Sequence, residues 1–247
     1  MTQNINSYTV KRLIKDIKEA FNYSSKDNNI YYKHHDTEML IGYALIIGNS
    51  DTPYQYGNYF FKLIFPSDYP FSPPKVFFLT NDSICRYHPN LYKNGTCCLS
   101  ILNTWQGDQW TSCQTIQSIL LTLSSILQNN PLLQEPGIKL SHPDVSKYND
   151  IITYKNFDFA IKDIINYANN PNNCINKILK HNTELTYVIN LFINKIKSNF
   201  NKNKIHIIQI INTQNKHSKY KVYASIYGLD IYINYSLLIN EFNKIEI

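Results

Sequence analysis

Apolar residues follow helical spacing at the start of the chain and change to strand-like runs further on. The segment 8–22 places five apolar residues on one face of a predicted helix: Leu13, Ile14, Ile17, Ala20 and Phe21. Three apolar runs follow, at Met39–Ile47, Tyr59–Phe65 and Val76–Leu79, and we expect each to form a strand. Because short turn-rich links separate them, the runs predict an antiparallel meander in an α+β fold rather than a parallel βαβ sheet.

The next part of the chain, residues 81–112, has no clear periodicity. A long irregular segment inside a compact domain is usually functional or disordered, and its tryptophans and cysteines argue against disorder. A helix is then predicted from Thr111, with Gln114 at capping-box spacing. Its apolar stripe would be buried: Ile116, Ile119, Leu120, Leu123 and Leu127.

The C-terminal part predicts a change of organisation near residue 170. A helix is expected at Tyr154–Ala168, and the Asn/Pro-rich segment 169–173 marks a boundary between a domain at 1–170 and an extension at 171–247. The extension predicts a mixture of helices and strands. In chain order these are a helix at Glu184–Phe200, strands at Ile205–Ile211 and Tyr220–Tyr227, and a short helix at Ser236–Ile245.

The composition is that of a globular protein, with 247 residues, 43% hydrophobic and 14% aromatic. No apolar run reaches the roughly 18 residues that a membrane span needs, so no membrane association is expected. Residues 1–10 lack a secretory pattern, which predicts a cytoplasmic protein (host cytoplasm for a viral source), with the nucleus as the alternative. Abundant Asn, Ile, Lys and Tyr are typical of an AT-rich genome, such as that of a protist or a large DNA virus.

Charge is unevenly distributed along the chain. Residues 1–170 carry 14 basic and 14 acidic side chains, whereas residues 171–247 carry 10 and 4, so the whole net charge of +6 lies in the extension. A basic extension fits an acidic or nucleic-acid partner, whose binding would weaken between about 50 and 200 mM salt. A solvated lysine-rich surface set by codon bias is the simpler interpretation, because only Arg12 and Arg86 among the 24 basic residues are arginine.

The five cysteines do not form a metal-binding pattern. Their number is odd and no pair has CxxC spacing, whereas zinc sites use closely spaced ligand pairs. We therefore predict no metal site and free thiols in a reducing compartment. Cys85, Cys97, Cys98, Cys113 and Cys174 are the residues concerned.

Cys98 is the candidate nucleophile of the irregular segment. Cysteine is intrinsically nucleophilic, although a given cysteine is more often a small buried hydrophobe. Asn90 lies eight residues earlier, and its amide could stabilise the oxyanion of a reacting thioester carbonyl, or it could simply form a turn. His88 could pair with Cys98 as in a cysteine protease, but a role in holding its own loop is preferred. Trp105 and Trp110 are expected to anchor the loop beside Cys98.

Four motifs in this order resemble those of ubiquitin-conjugating enzymes. They are the proline-rich stretch Tyr69–Val76, the tripeptide His88-Pro89-Asn90, the active-site segment Gly95–Leu99 and the tryptophan segment Trp110–Ser112. The resemblance covers residues 8–168 and is specific as a combination. Leu99–Trp105 and Asn130–Gly137 are similar to larger members of the family, which have a longer insert after the active cysteine and C-terminal extensions.

The resemblance implies a transferase that uses a cysteine thioester and no cofactor. Cys98 would accept ubiquitin or a ubiquitin-like modifier from an activating enzyme, then pass it to a substrate lysine or a ligase. Asn90 would support the attack of the lysine, and four residues would support the active site: His88, Pro89, Trp110 and Leu133.

The resemblance also implies surfaces for the enzymes before and after this one in the pathway. The lysine face of the first helix would meet the activating enzyme or ligase, as would a loop residue and the segment after the tryptophan. The residues are Lys11, Lys15, Lys18, Phe71 and Ser112.

Two departures from the family pattern affect these expectations. Leu133 stands where many relatives have an acidic or polar residue, and leucine cannot orient an incoming lysine or lower its pKa. Ser112-Cys113 replaces a Pro-Ala pair, so the choice of ligase stays open. The alternative is a weakly active or inactive binding module of the same fold, targeted by its basic extension.

Overall fold

The computed structural model describes residues 5–24, 26, 29–173, 176–214 and 219–246. Helix α1 (Ser7–Ser24) is followed by strands β1 (Ile30–His34), β2 (Ile41–Ile47), β3 (Asn58–Ile64) and β4 (Lys75–Phe78). The strands form one antiparallel sheet in chain order, and α1 packs against β1. The predicted α+β meander is therefore confirmed.

Strand β1 is an element that the sequence pattern did not predict. It is only five residues long, and its three buried residues precede an exposed lysine instead of alternating with polar side chains. Its pairing with β2, from Ile30 opposite Ile46 to His34 opposite Gly42, makes it a strand. Pairing with a neighbouring strand thus defines an element that local alternation leaves undefined.

Helix α2 (Ile116–Ile126) begins later than predicted, because its cap is not at Thr111. Thr115 accepts a hydrogen bond from the backbone N–H of Ser118, and the Ser118 hydroxyl accepts one from the N–H of Thr115. This reciprocal pair is the capping box, so the predicted pairing of Thr111 with Gln114 was wrong. The predicted apolar stripe of the helix is buried.

The helix predicted at Tyr154–Ala168 is the second half of a longer helical run. It begins with α3 (Asp144–Lys155), passes through a π-helical segment at Asn156–Asp163 and ends with α4 (Ile164–Asn169). Within the π segment, the Asn156 side chain accepts a hydrogen bond from the Tyr59 hydroxyl at 2.6 Å. The run is thereby tied to strand β3.

The extension continues the helical region before it forms a hairpin. Its elements are α5 (Lys177–His181), α6 (Thr183–Leu191), α7 (Ile193–Gln214), β5 (Tyr220–Ala224), β6 (Leu229–Ile233) and α8 (Tyr235–Asn243). Strands β5 and β6 pair with each other in a separate two-stranded sheet. The predicted last helix is confirmed, whereas the helix predicted at Glu184–Phe200 is divided between α6 and α7 at Phe192.

The strand predicted at Ile205–Ile211 was wrong, because this segment lies inside helix α7. Its isoleucines favour a strand by local propensity. Within α7, however, the buried residues Ile196, Phe200, Ile207 and Ile211 follow the spacing of one helical face. Packing of that face against α4 and α8 outweighs the local preference.

The extension and the preceding residues share one hydrophobic core. The rings of Phe192 and Phe60 stack at 6.3 Å, and Lys62 on β3 forms an ion pair with Glu184 on α6. The hairpin packs against α3, and α8 packs against the π segment. The division at residue 170 remains a prediction, since the core runs through both parts without interruption.

Candidate active site

Cys98 and Asn90 lie side by side, joined by two hydrogen bonds. The Cys98 N–H donates to the Asn90 carbonyl at 2.8 Å, and the Asn90 amide Nδ2 donates to the Cys98 carbonyl at 2.6 Å. The structure therefore brings together the two residues that the sequence predicted as the reacting pair. An amide NH2 group has two hydrogens, and this contact uses one of them.

The loop before Asn90 is fixed by an unbroken series of hydrogen bonds. Each backbone carbonyl from Arg86 to Asn90 accepts one. The donors, in chain order, are the Tyr148 hydroxyl, the Tyr54 hydroxyl, the Leu91 N–H, the Arg86 guanidinium and the Cys98 N–H. Buried carbonyls that are all paired hold a backbone in one conformation.

His88 is fully buried in this loop, and its Nδ1 accepts a hydrogen bond from the Asn90 N–H at 3.0 Å. Burial, aided by the positive charge of Arg86, lowers the pKa of His88 to about 3. The imidazole is therefore neutral at physiological pH and too weak a base for the protease-like alternative. Pro89 is buried beside it, and its carbonyl accepts the hydrogen bond from Arg86.

The thiol of Cys98 is nearly covered, with 9% of the residue exposed. Its Sγ donates to the Thr104 carbonyl at 2.7 Å. The Thr104 hydroxyl accepts from the Leu99 N–H at 2.8 Å and faces the Cys97 carbonyl at 3.2 Å. The insert after the cysteine is thus attached to the backbone around Cys98. No sequence pattern predicted this role for Thr104.

Trp105 and Trp110 differ in how far they are buried. Trp110 is buried, and its indole N–H donates to the Pro70 carbonyl at 2.7 Å. The backbone N–H of Trp110 also donates to the side-chain oxygen of Asn103. Trp105 is 44% exposed, so its predicted anchoring role was wrong. The exposed run at residues 103–109 lacks the apolar neighbours that would bury a second indole.

Leu133 lies on the short 3-10 helix Pro131–Gln134, where its side chain is 37% exposed. Its backbone N–H donates to the Asn130 carbonyl, which fixes the turn. The side chain presents an apolar surface to solvent. A role in guiding lysine would require chemistry that leucine does not have.

Arg12 holds together the predicted contact surface for partner enzymes. Its guanidinium forms an ion pair with Asp16 at 2.9 Å and donates to the carbonyls of Ser112 and Gln114. Asp16 also accepts from the Tyr69 hydroxyl at 2.5 Å. Helix α1 is thereby joined to the segment around Ser112 and to the proline-rich loop.

The predicted contact residues are exposed around this junction. Phe71 is 67% exposed and its ring stacks on Tyr8 at 5.6 Å. Ser112 is exposed, as are the three lysines of α1: Lys11, Lys15 and Lys18. Arg12 was noted in the sequence only as one of two arginines, yet its planar group makes contacts that lysine cannot reproduce.

The remaining cysteines contrast with Cys98. Cys85 and Cys97 are buried, and burial raises the pKa of both thiols, so they behave as core residues. Cys113 is a free, exposed thiol, and Cys174 lies outside the described residues.

Within the described ranges, no cluster of three or more His, Cys, Asp or Glu residues could hold a metal ion. The described helices also include none with the length and apolar character needed to cross a bilayer.

Residues 12–153 match the profile of the ubiquitin-conjugating enzyme family. The chain belongs to this family. It is similar to Ubiquitin-conjugating enzyme E2 Z from Danio rerio, with 36% identity over 159 residues that cover 63% of this chain and 48% of the relative. Ubiquitin-conjugating enzyme E2 Z from Homo sapiens is 41% identical over 131 residues, or 52% of this chain and 37% of the relative.

A more distant match is Probable ubiquitin-conjugating enzyme protein 17 from Caenorhabditis elegans, which is 33% identical over 180 residues. The alignment covers 65% of this chain and 25% of that relative. The chain thus spans half or less of the length of the curated relatives that it matches. The family and the fold are shared, while the activity of the longer proteins can be considered only as a proposal for this chain.

Proposed function

We propose that this chain is a transferase that carries ubiquitin as a thioester on Cys98. The observation that supports this most directly is the mutual pair of hydrogen bonds between Asn90 and Cys98, placed within a loop whose carbonyls are all paired. A nucleophile and an amide donor fixed at one point are what acyl transfer between sulfur and nitrogen requires.

The first step exchanges one thioester for another. The Cys98 thiolate attacks the carbonyl of ubiquitin's C-terminal glycine, the new S–C bond forms, and the thiolate of the activating enzyme leaves. No cofactor takes part, because the thioester bond already stores the free energy. We infer that the activating enzyme docks on the α1 surface that contains Lys11, Lys15 and Lys18, all of them exposed.

In the second step a lysine amine attacks the thioester carbonyl. The second hydrogen of the Asn90 amide stabilises the oxyanion, the C–S bond breaks, and the thiolate of Cys98 leaves as the amide bond forms, while the proton lost by the amine passes to water. His88, Pro89 and Trp110 support the loop and leave proton transfer to other groups. A ligase would bind the exposed Phe71 and Ser112 and could supply the lysine guidance that Leu133 lacks.

A charging assay tests this function. The full chain is mixed with an activating enzyme, ubiquitin and ATP, and the products are separated on non-reducing and reducing gels. We expect one band shifted by the mass of one ubiquitin, which a thiol reductant removes. Cys98→Ala should abolish the band, and Cys98→Ser should give an ester that resists the reductant.

Two controls make the result decisive. Cys113→Ser, at an exposed thiol, should charge as the wild type does. The activating enzyme must also charge a second conjugating enzyme in parallel. Absence of the shifted band with ubiquitin would contradict ubiquitin as the cargo, and its absence with every ubiquitin-like modifier would favour the binding-module alternative.

A further inference from the structure

The turn of the C-terminal hairpin has an unusual backbone conformation. Tyr227 lies between β5 and β6 with φ 66°, in the left-handed region, which bulky aromatic residues seldom adopt. The sequence had predicted that the strand would continue through this residue, but β5 ends at Ala224. Such conformations persist only where surrounding contacts hold them, and they are concentrated at functional sites.

Asp144, at the start of α3, anchors this turn. Its Oδ2 accepts hydrogen bonds from the Ser225 hydroxyl at 2.5 Å and from the Ile226 N–H at 3.0 Å. Burial alone would raise the pKa of Asp144, but these hydrogen bonds hold it below the ordinary value. The Asp144 carboxylate is therefore charged at neutral pH, and it holds the hairpin turn against the start of α3.

Tyr227 contacts the loop that precedes Asn90 and the segment that contains Leu133. Its ring lies 4.2 Å from the Cζ of Arg86, and the ring of Tyr92 lies 4.0 Å from the same atom, so the guanidinium is held between two aromatic rings. The Tyr227 hydroxyl donates to Oε2 of Glu135, two residues after Leu133.

Arg86 transmits this contact to the residue next to Asn90. Its guanidinium donates to the Pro89 carbonyl, and its own carbonyl accepts from the Tyr148 hydroxyl at 2.5 Å. The rings of Tyr148 and Tyr227 in turn form a T-shaped pair with their centroids 5.9 Å apart. Tyr227 therefore supports the Arg86 side chain directly and the Arg86 carbonyl through Tyr148.

We propose that Tyr227 is a positioning residue for transfer from Cys98, acting through Arg86 on the loop that contains Asn90. This inference rests on the proposed function. The extension then contributes to the reaction indirectly, because it completes the support of the active-site loop. Loss of the aromatic ring would let the Pro89 carbonyl and the Asn90 amide move away from the position that the reacting carbonyl needs.

The test is single-turnover discharge of the preformed thioester to free lysine, in the full chain. Tyr227→Leu should lower the maximal discharge rate about tenfold, while charging and the KM for lysine stay near the wild-type values. Tyr227→Phe keeps the ring over Arg86 and should retain most of the rate. The matched controls are Tyr223→Leu and Tyr232→Leu, on exposed tyrosines of the same hairpin, and neither should reduce discharge.

A second variant covers the case in which Tyr227→Leu does not fold, as judged by thermal unfolding. Arg86→Lys keeps the charge but loses the planar group between the two rings, and it should show the same fall in rate. Discharge by either folded variant at the rate of the hairpin controls would overturn the proposal. A wild-type protein that forms no thioester would overturn both this inference and the proposed function, a result distinct from equal rates.

Discussion

The two sides of Cys98 are built in opposite ways. On one side, every backbone carbonyl of residues 86–90 accepts a hydrogen bond. Three of the five donors come from other parts of the chain, and a fourth is the Arg86 guanidinium, which bonds to the Pro89 carbonyl. On the other side, residues 103–109 are exposed, with Asn103 and Thr104 as their attachments near the cysteine.

This difference separates two requirements of a thioester carrier. Under the proposed function, the Asn90 amide must keep its position, because a donor already in place needs no rearrangement during the reaction. The proposed function also requires the insert to open over Sγ, because a ubiquitin tail would have to reach a thiol that is 9% exposed and whose Sγ donates to the Thr104 carbonyl. We therefore expect changes on the first side to affect the rate of transfer and changes on the second to affect access.

The largest effect should come from Asn90 on the rigid side. Asn90→Ala removes the amide donor, and such a loss typically costs about 10²–10³ in rate. The measurement is single-turnover discharge of the Cys98 thioester to free lysine. Asn94→Ala, at an exposed asparagine of the neighbouring turn, is the matched control and should leave the rate unchanged. A similar rate for both variants would show that the Asn90 amide does not stabilise the oxyanion.

The second effect concerns stability and comes from His88, on the same side. Burial lowers the pKa of His88 to about 3, so the folded state resists protonation that the unfolded state accepts below about pH 6.5. The stability due to neutral His88 is complete above that pH and is lost as the pH falls toward 3. It should decrease by roughly 2 kcal/mol between pH 7 and pH 5.

Urea unfolding at the two pH values measures this contribution. His88→Gln should reduce the pH dependence of the free energy of unfolding by that amount, although the variant is less stable at pH 7. His181→Gln, at an exposed histidine of α5, is the control and should keep the wild-type dependence. If both variants depend on pH as the wild type does, His88 is not the buried neutral group described here.

Local sequence patterns predicted the parts of the site that are close together in the chain. Asn90 and Cys98 are separated by eight residues, and His88 by two more, so a motif with fixed spacing was sufficient. The same holds for β2 to β4, which follow one another in the chain and pair as neighbours in the sheet. Trp110, predicted to be an anchor, is buried with its indole N–H on the Pro70 carbonyl, and a buried indole needs both an apolar site and one acceptor.

The missed features depend on contacts between distant segments. Tyr227 meets Glu135 across 92 positions, and Arg12 meets Ser112 across 100. No local period encodes such a contact, and the run of isoleucines in α7 was misinterpreted for the same reason. One signal was available in the sequence. Only two of the 24 basic residues are arginine, and both arginines form contacts that need a planar guanidinium.

The smallest effect should come from the exposed side, at Thr104. Thr104→Val has nearly the same shape but removes the hydroxyl that accepts from Leu99 and faces Cys97. Losing a net hydrogen bond of about 1 kcal/mol should make an open insert about fivefold more populated. Alkylation of Cys98 by iodoacetamide, measured on the Cys98 peptide by mass spectrometry, should then be faster by that factor.

The control is Thr122→Val, whose hydroxyl donates to the Ser118 carbonyl within α2 and should not change the alkylation rate. Asn90→Ala provides the converse test, since it should slow transfer while leaving alkylation of Cys98 within about twofold of the wild-type rate, less than the gain from one lost hydrogen bond. If Thr104→Val and Thr122→Val react equally, the insert does not limit access to Sγ. The two sides of Cys98 would then differ in how they are held but not in what they control.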